Sequence, residues 1–152
     1  IGDLHHDRIT ARGMDEDSIR EIREAWEVDT SDFVVLFLSD CATEMKAAGR
    51  NSDYDEFVCL QRLLDELSVP TSACIPGRSE EKVTVIIRPH PKDTIGKYDS
   101  YRHDGRFSVR ISSAGAGSAA LRSADFVTGM KSALLREAAM LKLNASSILD
   151  WA

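Results

Sequence analysis

Apolar runs alternate with amphipathic segments five times along this chain of 152 residues. An apolar run such as Phe33–Leu38 is typical of a strand that other elements cover on both faces, as in a parallel sheet. Parallel strands need crossover connections, and the amphipathic segments supply them as helices. The alternation predicts an α/β fold, a three-layer Rossmann-like domain with a mostly parallel sheet of about five strands. The predicted strands are Phe33–Leu38, Val83–Ile87, Phe107–Ile111, Asp125–Gly129 and Ala145–Leu149.

The segments between the strands space their apolar residues as helices do. Phe107–Ile111 differs from the other strands because apolar and polar residues alternate in it, which predicts a position nearer to an edge of the sheet. The polar stretch 40–53, with Gly49 and Asn51, predicts a loop. No linker or internal repeat divides the chain, so we expect one domain over residues 1–152. The predicted helices are Asp17–Val28, Asp55–Leu67, Ser118–Ser123 and Ser132–Leu143.

The composition is that of a water-soluble globular domain, with 43% hydrophobic and 29% charged residues. The chain has 19 Lys and Arg against 25 Asp and Glu, a net charge of −6, so its surface repels polyanions and we expect no nucleic-acid partner. No apolar run is long enough to span a membrane. Cys41, Cys59 and Cys74 are odd in number and widely spaced, which indicates a reducing and therefore cytoplasmic location.

A proline-rich motif follows the second predicted strand and is the sharpest local signal in the sequence. It combines Arg88, His90 and Lys92 with Pro89 and Pro91. The prolines fix their own φ angles and restrict the residue before each of them, so His90 loses little conformational entropy when it binds a ligand. Two cations and a rigid imidazole suit a phosphate group, and we predict that Arg88, His90 and Lys92 bind one. The alternative is that the prolines only terminate a buried strand and that His90 caps a nearby group.

A second candidate site lies where the fourth predicted strand leads into a helix. Ligands of open α/β sheets bind beyond the carboxyl ends of the strands, where helix amino termini present free N–H groups. Met130, Lys131 and Ser132 occupy such a position, and we predict that they bind nucleotide phosphates. Glu137 lies more than one turn farther along the helix, where its carboxylate suits the two hydroxyl groups of a ribose. The alternative is an ordinary capped helix with Glu137 in solvent.

Three other patterns give weaker signals. The stretch 113–118 lacks the third glycine of the G-x-G-x-x-G dinucleotide fingerprint, and we interpret it as a flexible loop that can order over a ligand. His5, His6 and Asp7 are of types that bind metals, but adjacent residues rarely face one ion together, and we expect no metal and no cofactor. No G-x-S-x-G elbow marks a nucleophilic serine, so a hydrolase triad has no support and the catalytic residues stay unassigned.

Several motifs, taken in order, resemble one superfamily. The opening IGDLHHDRI, the strand VVLFLSD, the segment IIRPHPKD and the stretch SADFVTGMKSALLREAAMLKLNASSI are similar to the carboxyl-terminal half of GT-B-type glycosyltransferases. Relatives of these enzymes include the UDP-N-acetylglucosamine 2-epimerases, the bacterial sialyltransferases and polysialyltransferases, and the CDP-glycerol glycerophosphotransferases. The resemblance spans nearly the whole chain and does not select one member of the superfamily.

The resemblance implies the donor-nucleotide domain of a two-domain glycosyltransferase of bacterial cell-surface polysaccharide synthesis. Its partners are then a nucleotide-activated sugar and an amino-terminal Rossmann-like domain outside this chain, with residues 1–16 leading in from the hinge, and the chain alone is expected to be inactive. His90 then touches a donor phosphate, Ser132 and the adjoining backbone bind a phosphate, and Glu137 holds the ribose. The sequence TGMKS at 128–132 stands where the epimerases have a D-S-G-G run, which argues against epimerase activity.

Two other functions stay open. One is an epimerase-like or hydrolase-like enzyme that acts on a nucleotide sugar, and the other is a Rossmann-like interaction module without catalysis. An enzyme of the first kind needs no acceptor substrate. A module of the second kind needs neither His90 nor Glu137, so experiments can separate the three functions.

Overall fold

A computed structural model of the chain describes residues 16–29, 31–50, 54–69, 73–77, 82–103 and 105–151. The metal candidates His5, His6 and Asp7 lie outside the described residues, as does the predicted hinge segment apart from Glu16. The described residues form a five-stranded sheet with helices packed on both faces, which confirms the predicted three-layer α/β fold.

The strands, in chain order, are β1 Phe33–Leu38, β2 Val83–Arg88, β3 Ser108–Ile111, β4 Phe126–Gly129 and β5 Ala145–Ser147. They pair in parallel in the order β3-β2-β1-β4-β5, so β3 lies at an edge, as its alternating sequence predicts. At the carboxyl end of β1, Leu38 pairs with Arg88 on one side and with Gly129 on the other. The loops that follow β1, β2 and β4 therefore leave the sheet side by side.

The α-helices among the described residues are α1 over 16–25, α2 Ala42–Ala47, α3 Glu56–Leu67, α4 Gly117–Ser123 and α5 Ala133–Met140. Two short 3₁₀ helices, Asp99–His103 and Ile148–Asp150, accompany them. The 12-residue helix α3 begins after Asp55, whose carboxylate accepts from the backbone N–H of Phe57 at 2.8 Å and of Val58 at 3.3 Å. This capping satisfies donors that the first turn cannot pair within the helix.

The predicted loop over 40–53 is wrong in its first part, because α2 lies within it. The helix is anchored from a distant element, since the backbone N–H of Thr43 donates to the carboxylate of Glu56 in α3 at 3.0 Å. No pattern in the sequence of residues 40–53 indicates this contact, because its partner lies in α3.

Three predicted elements end earlier than expected. The helix α1 stops at residue 25 and not at Val28, because Glu27 adopts a left-handed conformation with a φ of 55°. The helix α5 stops at Met140 and not at Leu143, because Lys142 adopts a left-handed conformation with a φ of 57°. The strand β5 stops at Ser147, whose hydroxyl accepts from the backbone N–H of Leu149 at 3.3 Å and starts a 3₁₀ helix.

The side chains of β1 divide the hydrophobic core into two layers. Val35 and Phe37 pack in one layer with the apolar face of α3. Leu36 and Leu38 point to the opposite face and pack in the other layer with residues of α1, α4 and α5. Because side chains alternate along a strand, this central strand needs apolar residues at every position, which explains its unbroken apolar run.

No helix in the described part of the chain is both long and apolar enough to cross a membrane. No disulfide joins Cys41, Cys59 and Cys74, which all lie in the described part of the chain.

Candidate functional site

The strand order creates a cleft at the carboxyl ends of β1 and β4. The chain moves outward from β1 through β2 to β3 and then returns to the other side of β1 as β4. Such a reversal opens a crevice between neighbouring connections, which is the usual ligand site of open α/β sheets. Here the crevice has a volume of about 700 Å³, and we call it the switch-point cleft. Its walls are the segments 38–40, 88–91 and 131–134, together with Ser113 and Gly117.

The switch-point cleft brings four of the sequence candidates together, namely Arg88, His90, Lys131 and Ser132. Its charged lining residues are two cations, Arg88 and Lys131, and one carboxylate, Asp40. The cleft is therefore locally basic in a chain with a net charge of −6. Such a local excess of positive charge favours a small anionic ligand.

Arg88 connects the end of β2 to the stretch 113–118, which follows β3. Its Nη1 donates to the carbonyl of Ala114 and its Nη2 to the carbonyl of Gly115, both at 2.9 Å. Burial lowers the pKa of the Arg88 guanidinium, which still carries its charge because an arginine pKa lies far above neutrality. The two bonds use only part of the five N–H donors of the side chain. Arg88 thus holds this stretch at the cleft and keeps donors for a ligand.

His90 has an imidazole whose orientation is set by its own turn. Nδ1 accepts from the backbone N–H of Lys92 at 3.0 Å. Because a backbone N–H can only donate, Nδ1 contributes a lone pair, and in the neutral ring the proton resides on Nε2. No described residue forms a hydrogen bond with Nε2. His90 therefore offers a free N–H donor at the cleft.

The amino terminus of α5 forms the wall opposite His90. Ser132 is the N-cap, and its hydroxyl accepts from the backbone N–H of Leu135 at 3.1 Å. The backbone N–H groups of Ala133 and Leu134 come before the first bond within the helix, and no described residue accepts from them. Both residues line the cleft. Two unpaired donors and the positive end of the helix dipole thus lie where an anion can bind.

Met130 and Lys131 are neighbours with different environments. Lys131 is exposed, lines the cleft, and places its ammonium 5.8 Å from the centre of the Tyr54 ring. The side chain of Met130 is buried in the core, and its carbonyl accepts from the hydroxyl of Ser147 at 2.8 Å. Only Lys131 can offer its side chain to a ligand, whereas Met130 can offer no more than its backbone.

Lys92 and Glu137 do not line the switch-point cleft. Lys92 contributes through its backbone, which orients the imidazole of His90, while its side chain is exposed. Glu137 is half-buried on α5, three residues after Leu134 and therefore on the same side of the helix, one turn farther from the strand ends. The phosphate contact of Lys92 and the ribose contact of Glu137 stay predictions.

A buried charge cluster beside the cleft was not identified from the sequence. It consists of Lys97, Glu44, Glu56 and Asp93. The ammonium of Lys97 donates to Glu44 at 2.8 Å, to Asp93 at 3.0 Å and to Glu56. The side chains of Lys97, Asp93 and Glu56 are 4%, 2% and 0% exposed. One ammonium thus forms ion pairs with three carboxylates. The only hint of this cluster in the sequence is the spacing of Asp93, at the end of the proline-rich motif, and Lys97, four residues later.

The cluster changes the ionisation of its members. Burial acts to raise the pKa of Glu44, but hydrogen bonds from Lys97 and Thr94 outweigh it and lower the pKa from 4.5 to about 2. Burial acts to lower the pKa of Lys97, but its bonds to the three carboxylates raise the pKa above the usual lysine range. Burial also raises the pKa of Tyr98, which adjoins the cluster. The ammonium and the Glu44 carboxylate are therefore both charged over a wide pH range.

Two groups of side chains in the described part of the chain could supply metal ligands. Asp40, Cys41 and His90 have ligand atoms within 4.8 Å of one another. The Nδ1 lone pair of His90 is engaged by Lys92 and Nε2 carries the proton, so the ring has no free ligand atom unless this bond breaks. The second group is the three carboxylates of the buried charge cluster, and the ammonium of Lys97 lies among them. Neither group fits a metal as it stands.

The low pKa of Glu44 predicts a loss of stability in acid. A carboxylate with a folded-state pKa of about 2 and an unfolded value near 4.5 contributes fully above pH 4.5, and the contribution disappears as the pH falls toward 2. We expect Glu44→Gln to be less stable than the wild type at neutral pH and the two stability curves to converge in acid. Urea unfolding between pH 7 and about pH 2.5 measures both curves. If the difference in the free energy of unfolding between the wild type and Glu44→Gln stays constant over this pH range, the low pKa of Glu44 is contradicted.

Comparison with known proteins leaves the family open. No protein-family model, no curated protein and no solved structure matches the chain significantly.

Proposed function

We propose that this chain is the donor-nucleotide domain of a glycosyltransferase and binds the phosphate groups of a nucleotide-activated sugar in the switch-point cleft. The proposal depends on one observation, the convergence of His90, Lys131 and the amino terminus of α5 on a single cleft of the sheet. Independent segments of the chain supply these groups. All of them offer positive charge or N–H donors, which is what a diphosphate requires.

The geometry suggests how a phosphate is held. The Nε2–H of His90, the ammonium of Lys131 and the free N–H groups of Ala133 and Leu134 are donors around one space. Arg88 adds positive charge from the end of β2. During sugar transfer, negative charge develops on the departing nucleotide phosphate, and preorganised donors of this kind stabilise it without a protein nucleophile. The parent protein is proposed to act in the cytoplasm on bacterial cell-surface polysaccharides, with the acceptor held by an amino-terminal domain.

Nucleotide titration of the labelled chain, followed by NMR, tests the proposal. We expect CMP, CDP, UDP or their sugars to shift the backbone amides of Arg88, His90, Lys92 and residues 129–134, with affinities in the micromolar to millimolar range (about −8 to −4 kcal/mol). Amides at these positions that do not move at millimolar nucleotide contradict the proposal. If the nucleotide binds and the parent protein converts a nucleotide sugar without any acceptor, the epimerase-like or hydrolase-like function is favoured over transfer.

Removal of single donors is expected to weaken nucleotide binding. His90→Ala removes a neutral hydrogen-bond donor to phosphate, and Lys131→Ala removes a charged one. We expect each variant to bind the nucleotide about tenfold more weakly. Lys82→Ala is the matched control, because Lys82 is exposed and precedes β2 at the amino end of this strand, whereas the cleft lies at the carboxyl ends. Calorimetric titration compares the three variants with the wild type. Equal affinities for all four proteins contradict a role of His90 and Lys131 in nucleotide binding, and no binding by any of them is the result expected of an interaction module.

A further inference from the structure

The turn that carries His90 is closed by a second residue, Asp93. The carboxylate Oδ2 of Asp93 accepts from the backbone N–H of His90 at 2.8 Å, and the backbone N–H of Asp93 donates to the carbonyl of His90 at 2.9 Å. Between them, the backbone N–H of Lys92 donates to Nδ1 of the imidazole at 3.0 Å. These three bonds fix the backbone of residues 90–93 and the imidazole ring together.

The carboxylate of Asp93 is held in turn from the interior. Oδ1 accepts from the ammonium of Lys97 at 3.0 Å, and Oδ2 accepts from the hydroxyl of Ser39 at 2.5 Å. With the backbone N–H of His90, three donors converge on two oxygens. The side chain of Asp93 is only 2% exposed, so water cannot readily replace a lost acceptor.

We infer that Asp93 is a positioning residue of the switch-point cleft, which holds His90 as the Nε2–H tautomer so that the imidazole donates a hydrogen bond to a phosphate oxygen. The identity of the ligand rests on the proposed function, whereas the tautomer is a property of the free protein. In this state Nδ1 is engaged and Nε2 is protonated, so the ring cannot take a proton from an acceptor hydroxyl. His90 is therefore a donor to phosphate and not the base of a transfer reaction.

The tautomer can be measured directly. Long-range ¹H–¹⁵N NMR spectra of the neutral imidazole are expected to show the Nε2–H form of His90 in the wild type. Asp93→Asn leaves one acceptor oxygen for three donors, so the turn loosens and a fraction of the Nδ1–H form is expected. Glu44→Gln is the matched control, because it removes a carboxylate from the same ammonium of Lys97, and the carboxylate of Glu44 has its hydrogen bonds with Thr94 and Lys97 and not with residues 90–93. This variant is expected to keep the wild-type tautomer.

Binding tests whether Asp93 acts through His90. We expect Asp93→Asn to weaken UDP or CDP binding about tenfold, as His90→Ala does. In the His90→Ala background, Asp93→Asn is expected to weaken binding by less than about a further twofold. If Asp93 acts only by positioning His90, its replacement has little effect on affinity once the imidazole is absent. A structural role alone predicts losses that add.

Several results overturn the inference. They are a wild-type His90 in the Nδ1–H form, an Asp93→Asn protein with unchanged tautomer and affinity, and additive losses in the double variant. If the wild type binds none of CMP, CDP, UDP and their sugars, the proposed function fails, while the tautomers of the wild type and of Asp93→Asn still decide the role of Asp93. If Asp93→Asn does not fold, a wild-type His90 in the Nδ1–H form still overturns the inference.

Discussion

Replacement of Lys97 by methionine is expected to lower the free energy of unfolding by about 3–5 kcal/mol. The ammonium of Lys97 is bonded to three carboxylates, and its side chain is 4% exposed. Methionine fills similar space but leaves the acidic members of the buried charge cluster without a cation. Removing one partner of a buried ion pair costs more than the pair contributed, because the remaining charges stay desolvated. Urea unfolding at neutral pH measures the loss.

Two further variants identify the cause of this loss. Lys46→Met makes the same exchange at an exposed position of α2, and we expect a change within about 0.5 kcal/mol. Glu56→Gln in the Lys97→Met background removes one of the uncompensated charges, and we expect it to recover stability. Glu56 is suitable because its Oε2 is buried and has no hydrogen-bond partner in the described part of the chain. A single-variant loss below about 1 kcal/mol, or a further loss in the double variant, contradicts this account.

The fold could be predicted because its main signals are local. The unbroken apolar run of β1 indicates a strand that is covered on both faces of the sheet. The alternation of apolar and polar residues in β3 indicates a strand at the edge of the sheet. The helix α2 was missed because its anchor is Glu56, which accepts from Thr43 across 13 positions of sequence. The early end of α5 depends on the left-handed conformation of Lys142. Glycine and asparagine adopt this conformation most readily, so the sequence gives no reason to expect it at a lysine.

The candidate site could be predicted only where a motif coincides with the end of a strand. The segments of His90 and Ser132 follow β2 and β4, and the register of the sheet brings them to one cleft. The buried charge cluster was not predictable in this way, because Lys97 lies 53 residues from Glu44 and 41 from Glu56. A charged residue in a sequence is ordinarily taken as solvated, and only the tertiary structure shows that these are not.

Gly129→Ala is expected to lower the free energy of unfolding by about 3 kcal/mol, the upper part of the range for overpacked cores. A methyl group on Gly129 meets the carbonyl oxygen of Leu38 at 2.8 Å and its Cβ at 3.3 Å. The carbonyl belongs to the backbone of the central strand, so β4 must move away from β1 to relieve the contact. The Leu38–Gly129 pair also ends the two strands that form the cleft, so nucleotide binding is expected to weaken together with stability.

The matched control for Gly129→Ala is Gly105→Ala. Apart from Gly105 itself and its chain neighbours, no atom of the described residues lies within 4 Å of a methyl group at this position. We therefore expect little change or a small gain in stability, because alanine restricts the unfolded chain more than glycine does. Urea unfolding and nucleotide titration compare the two variants. Equal behaviour contradicts a close backbone approach of β1 and β4. A loss confined to Gly129→Ala means that the absence of a side chain at the end of β4 sets the separation of the two strands, and hence the width of the switch-point cleft.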